Sequence, residues 1–332
     1  MRFGMLYELQ LPKPWDSQSE QRLVDDAIEQ CVLGDKLGID YAWSVEHHFL
    51  EEYSHCSASD VFLSAIAAKT ERIKIGFGIR QVIPNYNHPA RTAESVGMLD
   101  LISHGRAQLG IGEGATRLEL GGFNIPAKRK RAMALESARE IADMMVMEPY
   151  PGYACDDWSM PCRNVLPKPI QKPHPPMWMA CTNRDTIREA ARNGLGVLAF
   201  SFLDSEEAKA WSSIYYDTIK SEECVPLGHT VNANIAMVSA FSLHDDHDEA
   251  SRRGEDGFRF FEYAIGALVT DDVVPGRSSL WEKYIARKQA RAAGQEVHDA
   301  AYGGKRAHPD RSMARSPGIG TADEFRNHMQ GF

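Results

Sequence analysis

The feature that most constrains this chain is a repeated alternation. Short runs of apolar residues with no polar alternation are each followed by a stretch with helical spacing. Strands read at 2–9, 39–45, 72–79, 105–112, 177–181, 196–202 and 231–241. Helices read at 17–38, 59–70, 89–103, 127–147, 184–193, 205–221 and 245–268. Ser17 to Glu20 form a capping-box pattern for the first helix, Gly38 ends it, and Pro89 suits the first turn of the third. Strands that are apolar throughout are buried on both faces, as in a parallel sheet. Strand–helix alternation of this kind points to an α/β barrel or a doubly wound sheet. No Gly-x-Gly-x-x-Gly follows the first strand, so the dinucleotide-binding sheet is the weaker choice.

Two stretches break the rhythm. Residues 150–176 are rich in Pro and Gly and are expected to wrap the surface. Residues 270–317 are polar and charged, with only 281–293 looking helical, and are expected to form a mobile lid or binding loop. Gly318-Ile319-Gly320-Thr321 then leads into a helix start, and no eighth apolar strand follows. An open seven-stranded barrel exposes a sheet edge. The expectation is a single domain over 1–332 with its C-terminal unit truncated.

The net charge of −9 over 332 residues argues against nucleic acid as the main partner, because phosphate binding needs a basic face. No apolar run approaches the ~20 residues that span a membrane, and the N-terminus carries no secretory signal. The six cysteines, Cys31, Cys56, Cys155, Cys162, Cys181 and Cys224, contain no Cys-x-x-Cys pair. That fits reduced thiols in a cytoplasmic protein.

The most informative segment is Glu46-His47-His48-Phe49, which ends the second strand. In parallel α/β folds the C-terminal strand edge is where side chains reach substrate. Histidine is the side chain best suited to trade a proton near neutral pH. Successive strand residues point to opposite faces, so His47 is the candidate for chemistry, with Glu46 and His48 as its supports. The same alternation opposes a metal site built from Glu46, His47, His48, His55 and Cys56. The acidic run from His244 to Glu249 reads as a solvated helix start. Asn232 and Asn234 share a strand face and either line the barrel or mark a polar strand start. The glycines of Gly76-Phe77-Gly78-Ile79 would let a planar ring approach the backbone, with Arg80 just beyond. Cys181-Thr182-Asn183-Arg184 leads into a helix whose N-terminus could hold a phosphate or simply be capped.

Taken together, the chain resembles the bacterial luciferase-like family of flavin-dependent monooxygenases. The resemblance rests on Arg2-Phe3-Gly4, on Trp43 through Phe49, and on Ile83 through Arg91. It continues through Leu99-Asp100, His104-Gly105-Arg106, Leu109 through Gly114, and Gly318 through Thr321. The Glu-His-His-Phe segment favours the FMN branch over the deazaflavin branch. The resemblance implies a (β/α)8 TIM-type barrel that holds reduced FMN at the C-terminal strand ends, uses O2 as co-substrate, and oxygenates a small organic substrate through a flavin C4a-peroxide. It implies a separate NAD(P)H-dependent flavin reductase and a homodimer. It also implies that His47 stands beside the reactive edge of the ring and that a cis peptide joins Gly78 to Ile79 under it.

Two departures stand out. The luciferases carry an arginine for the flavin phosphate where Glu113 stands, and a reactive cysteine where Gly112 stands. Glu113 is therefore expected on a ring or ribityl hydroxyl. The phosphate is expected at Cys181, Thr182 and Asn183, and Ser201 on the sixth strand end is expected beside the ring. Two other readings remain: a non-catalytic flavin-binding paralogue, and a metal-dependent barrel hydrolase.

Overall fold

The alternation resolves into a parallel sheet wrapped by helices. The computed structural model describes residues 1–199, 205–270, 273–295, 297 and 318–330. In chain order the first half comprises β1 (Gly4–Tyr7), α1 (Ser19–Leu37), β2 (Tyr41–Ser44), α2 (Ser59–Ala67), β3 (Lys74–Gln81), α3 (Pro89–Ile102), β4 (Ala107–Gly112), α4 (Arg117–Gly122) and α5 (Lys130–Val146). The second half comprises β5 (Tyr150–Ala154), β6 (Ser159–Arg163), β7 (Met177–Cys181), α6 (Arg184–Arg192), β8 (Gly196–Ala199), α7 (Ser205–Ile219), β9 (Ile235–Met237), β10 (Ser242–Leu243), α8 (His247–Thr270), α9 (Leu280–Ala292), β11 (Ile319–Gly320) and α10 (Ala322–Met329).

The main sheet has seven strands in the order β1-β2-β3-β4-β7-β8-β9. Every neighbouring pair in it is parallel. This is an incomplete TIM-type barrel with β1 and β9 at its two edges, and among the described residues no eighth strand joins them. The Gly318-Ile319-Gly320 segment instead pairs with β10, outside the main sheet.

The sheet's outer face packs on α1 to α3 and α5 to α7 through one large apolar cluster. Its inner face is filled by Tyr41, Trp43 and Trp178. Tyr41 and Trp43 stack with centroids 5.5 Å apart, and Trp178 meets Trp43 edge-on at 5.4 Å. Each buried ring contributes at most roughly 4–6 kcal/mol of gross hydrophobic stabilisation. At Gly76 the planar ring beside the backbone is thus the protein's own indole. A Cβ on Gly76 would lie 2.2 Å from Trp43 Cε3, and one on Gly78 would lie 3.0 Å from Trp43 Cβ.

Four local readings are corrected. Ser17 does not cap α1; the helix begins at Ser19, and the Asp16 carboxylate takes the backbone N–H of Gln18 at 2.8 Å. The stretch 150–176 holds an antiparallel hairpin, β5 with β6, whose Pro and Gly residues had disguised it. The strand read at 231–241 shrinks to β9. Asn232 Nδ2 donates to the Met177 carbonyl at 3.0 Å and Asn234 Nδ2 to Asn232 Oδ1 at 2.7 Å, so the pair marks a polar strand start. The helix read at 127–147 begins at Lys130 and is preceded by the unforeseen α4. Of the expected lid, residues 271–272, 296 and 298–317 lie outside the described residues; α9 is its described part.

Candidate active site

The C-terminal edge of the sheet carries two polar networks that meet at the loop after β2. In the first, the Glu46 carboxylate accepts Asn87 Nδ2 at 2.7 Å and the Gln81 backbone N–H at 3.2 Å, with His48 Nε2 at 3.1 Å. Glu46 is only 3% exposed and ties the end of β3 to the loop. His48 stacks against Tyr86, with centroids 5.9 Å apart, and meets Phe123 edge-on at 4.9 Å. His48 is therefore held by packing as well as by its hydrogen bond.

The second network belongs to His47. Its Nδ1 lies 2.9 Å from Glu119 Oε1, and its Nε2 lies 3.8 Å from Glu8 Oε2. Glu119 is fully buried and also accepts the Thr116 hydroxyl at 2.7 Å and the His48 backbone N–H at 3.1 Å. An ionised carboxylate only accepts, so Nδ1–H donates and Nε2 is aimed at Glu8. Burial by itself would lower the His47 pKa, but the Glu119 charge and hydrogen bond, with Glu8 and Glu46 behind them, raise it to about 9. The Glu119 carboxyl stays below its usual range: burial opposes ionisation, but the His47 charge and three hydrogen bonds prevail. Burial lifts Glu8 to about 7, against the pull of His47 and the Tyr53 hydroxyl. These neighbours favour the charged imidazolium of His47, while burial favours the neutral carboxyl of Glu8.

Neither Glu119 nor Glu8 was singled out from the sequence. Glu119 had a signal: Thr116-Arg117-Leu118-Glu119 is a capping-box pattern, and Thr116 does cap α4. Glu8 had a weaker one, a carboxylate just past the end of the first strand.

The arc continues around the sheet edge. A Cβ on Gly114 would lie 2.5 Å from the Tyr86 hydroxyl, and one on Gly112 would lie 2.3 Å from Ile79 Cδ1. Gly78 and Ile79 are joined by a cis peptide. Glu113 lies 3.4 Å from both Lys130 and Arg131. Arg131 also reaches Glu189 at 3.2 Å and Met179 Sδ at 3.9 Å, which brings it to the end of β7. There Asn183 caps α6: its Oδ1 accepts the backbone N–H groups of Asp185 and Thr186 at 3.0 Å each. The Thr186 hydroxyl accepts the Thr182 and Asn183 N–H groups, and Cys181 is buried beneath. Arg184 is turned away to Glu207. Ser201 lies outside the described residues. His47, His48 and Glu46 are thus brought together, while Thr182 and Asn183 stand farther round the edge with Arg131.

Along this arc the side-chain atoms Glu8 Oε2, Gln10 Nε2, Gln81 Oε1 and the Tyr86 hydroxyl are buried without a hydrogen-bond partner. Buried polar atoms left unpaired are costly and ask for a ligand or water. A planar ring with a polar rim fits that pattern.

The family model for luciferase-like monooxygenases matches residues 1–332. The chain belongs to the luciferase-like monooxygenase family. It is 28% identical over 204 residues to the oxygenase component of the flavin-dependent trigonelline monooxygenase of Acinetobacter baylyi, covering 59% of this chain and 53% of that protein. The chain thus spans about half the length of that relative, as it does of an uncharacterized Sinorhizobium fredii protein of which 52% is covered at 30% identity. Among solved structures, monooxygenase RslO1 of Streptomyces bottropensis superposes with a TM-score of 0.74 at 24% identity, over 99% of this chain and 88% of that one. The oxygenating constituent of 3,6-diketocamphane monooxygenase of Pseudomonas putida, in complex with FMN, gives 0.68 at 19% identity, over 100% and 89%. The F420-dependent tetrahydromethanopterin reductase of Methanopyrus kandleri gives 0.63 at 19% identity, over 99% and 89%. These likenesses show a shared fold. The cofactors named for the neighbours differ.

Proposed function

We propose that this chain is the oxygenase of a two-component system that uses reduced FMN and O2 to oxygenate a small organic substrate. A separate NAD(P)H-dependent flavin reductase would supply the reduced FMN. The observation that carries this reading is His47, fixed by Glu119 at the strand edge of a luciferase-like barrel and charged at neutral pH. Bound reduced flavin supplies the two electrons that activate O2.

The protein's own residues do the rest. With reduced flavin bound, His47 would serve as the proton donor of the site through Nε2, the nitrogen that Glu119 does not hold. Glu119 keeps the imidazole oriented and charged. Glu46 and His48 hold the loop and the end of β3 in place. Gly78, Ile79 and Gly112 would form the floor under the ring. Glu113 would hold a ring or ribityl hydroxyl, and Thr182, Asn183, Arg131 and Cys181 would hold the phosphate. Leaving the α6 cap intact, Arg131 supplies the positive charge.

The F420-dependent neighbour motivates a second reading, hydride transfer with a deazaflavin. Titrating the protein with reduced FMN and with reduced F420, then measuring O2 uptake, separates the two. Preference for FMN with protein-dependent O2 uptake supports the oxygenase. Preference for F420 without O2 uptake overturns it, and binding with neither reaction favours a non-catalytic flavin carrier.

We also propose a homodimer through α2 and α3, where Val61, Met98 and Leu101 are exposed on neighbouring helices. Sedimentation of wild type against Val61→Glu tests it; a monomer in both removes it. Among the described residues no helix is long and apolar enough to cross a membrane.

A further inference from the structure

The proposed oxygenase leaves one group of the site without work. Glu8 stands just past β1, with a side chain only 10% exposed. Its Oε1 accepts the Tyr53 hydroxyl at 3.2 Å. Its Oε2 is buried without a hydrogen-bond partner and lies 3.8 Å from His47 Nε2. On its other side Glu8 lines a cavity of about 350 Å³ between β1 and α1, with Gln10, Asp26 and Phe261 among the other lining residues. Asp26 stands at the exposed end of that cavity. Glu8 thus stands between His47 Nε2 and the cavity beside β1.

We propose that Glu8 is the proton-relay residue of this site, passing protons between His47 Nε2 and solvent through the cavity beside β1. When the relay runs inward, the N–H bond at Nε2 breaks as His47 gives its proton to the reacting oxygen. The O–H bond of Glu8 then breaks as its proton restores Nε2–H, once the 3.8 Å gap shortens to hydrogen-bond distance or one water spans it, and the Glu8 carboxylate takes a new proton from water in the cavity. No electrons move, and each proton lost is replaced from solvent. Glu8 acts through His47, so it is a positioning and relay residue, not a catalytic one.

The groups facing Glu8 are His47, Tyr53 and Cys56 on the segment after β2, Glu119 on α4 and Asp26 on α1. Of the acids, Glu119 is held ionised by His47 and Asp26 is exposed to solvent. Burial among these neighbours raises the Glu8 carboxyl to about 7.

The inference rests on the oxygenase reading for its purpose, but its first test needs no flavin. The side-chain nitrogens of His47 are followed by heteronuclear NMR while the cofactor-free protein is titrated. Wild type is expected to show two inflections, a neutral one from Glu8 and a more alkaline one from His47 itself. Glu8→Gln, which conserves volume, is expected to lose the neutral inflection while keeping the fold, and Glu8→Asp to retain it. A wild-type trace with no neutral inflection, or a Glu8→Gln trace that keeps it, overturns the relay. In flavin-loaded protein, Glu8→Gln is expected to lose the neutral limb of the kcat–pH profile while KM holds; an unchanged profile overturns it too. Absence of oxygenase turnover alongside an intact neutral inflection would instead count against the oxygenase reading.

Discussion

Replacing Glu119 with glutamine isolates the electrostatic part of the site. The amide keeps the size of the carboxylate and can still accept from His47 Nδ1 at the wild-type distance of 2.9 Å. It can also hydrogen-bond Thr116, whose hydroxyl both donates and accepts. The negative charge is what disappears. Two unit charges ~4 Å apart at an effective dielectric of ~20 interact by about 4 kcal/mol. At about 1.4 kcal/mol per pKa unit, that is a shift of roughly three units. The His47 pKa should therefore fall from about 9 to the neutral range or below it, where burial is no longer outweighed. Global stability should drop by roughly 3 kcal/mol at neutral pH, because a buried charge has lost its partner. The drop should shrink in alkali, where His47 is neutral in both proteins. Heteronuclear NMR titration of His47 in wild type and Glu119→Gln measures the shift, and urea unfolding at neutral and alkaline pH measures the stability. A His47 midpoint that moves by less than about one unit would refute the reasoning.

Other expectations follow from the same geometry. Arg131→Ala should weaken FMN binding but leave riboflavin binding unchanged, whereas Asn183→Ala should also lower Tm through the lost cap, worth ~1 kcal/mol; equal losses for both ligands would move the phosphate elsewhere. Gly76→Ala should destabilise the fold by about 1–3 kcal/mol through its clash with Trp43, and calorimetry showing an unchanged Tm would contradict the tight inner packing. Stability should also decline on the alkaline side. His47 has a folded pKa above its unfolded value, so its contribution is complete below the ordinary imidazole pKa and is lost as pH rises through about 9. The same sign holds for Glu8, whose contribution is lost through about 7. The His47 part alone is on the order of 3 kcal/mol, and a flat Tm across that window would count against both shifts.

Much of the fold was legible because its strands announce themselves locally. The apolar runs read at 72–79, 105–112 and 177–181 become β3, β4 and β7, with their ends within two residues of the reading. The Glu46-His47-His48 segment was legible for the same reason: its place at a strand end needs only the strand. Glu46 pairs with His48 and not with His47, but in the loop beyond β2, where strand alternation does not apply. What was missed is long-range or short. Glu119 is 72 residues from His47, on a six-residue helix that contains two glycines and has too little length to show a period. Glu8 reaches His47 only because β1 and β2 lie side by side. The β5–β6 hairpin carries Pro151, Gly152 and Pro161, which read as breakers until the partner strand is seen. Gly76, which looked like room for a cofactor, faces the indole of Trp43.

The central claim is that His47 manages the protons of oxygen chemistry on a reduced flavin held at this strand edge. The most direct test mixes the anaerobic complex of reduced FMN with O2 and follows the return of oxidised-FMN absorbance, in wild type and in His47→Ala. The account predicts that wild type reoxidises on a time course unlike that of free reduced FMN. It predicts that His47→Ala binds FMN with near-normal affinity but loses about 100-fold or more in turnover. Wild-type protein that leaves the flavin's reaction with O2 unchanged, or His47→Ala that turns over at near-normal rate, would contradict it.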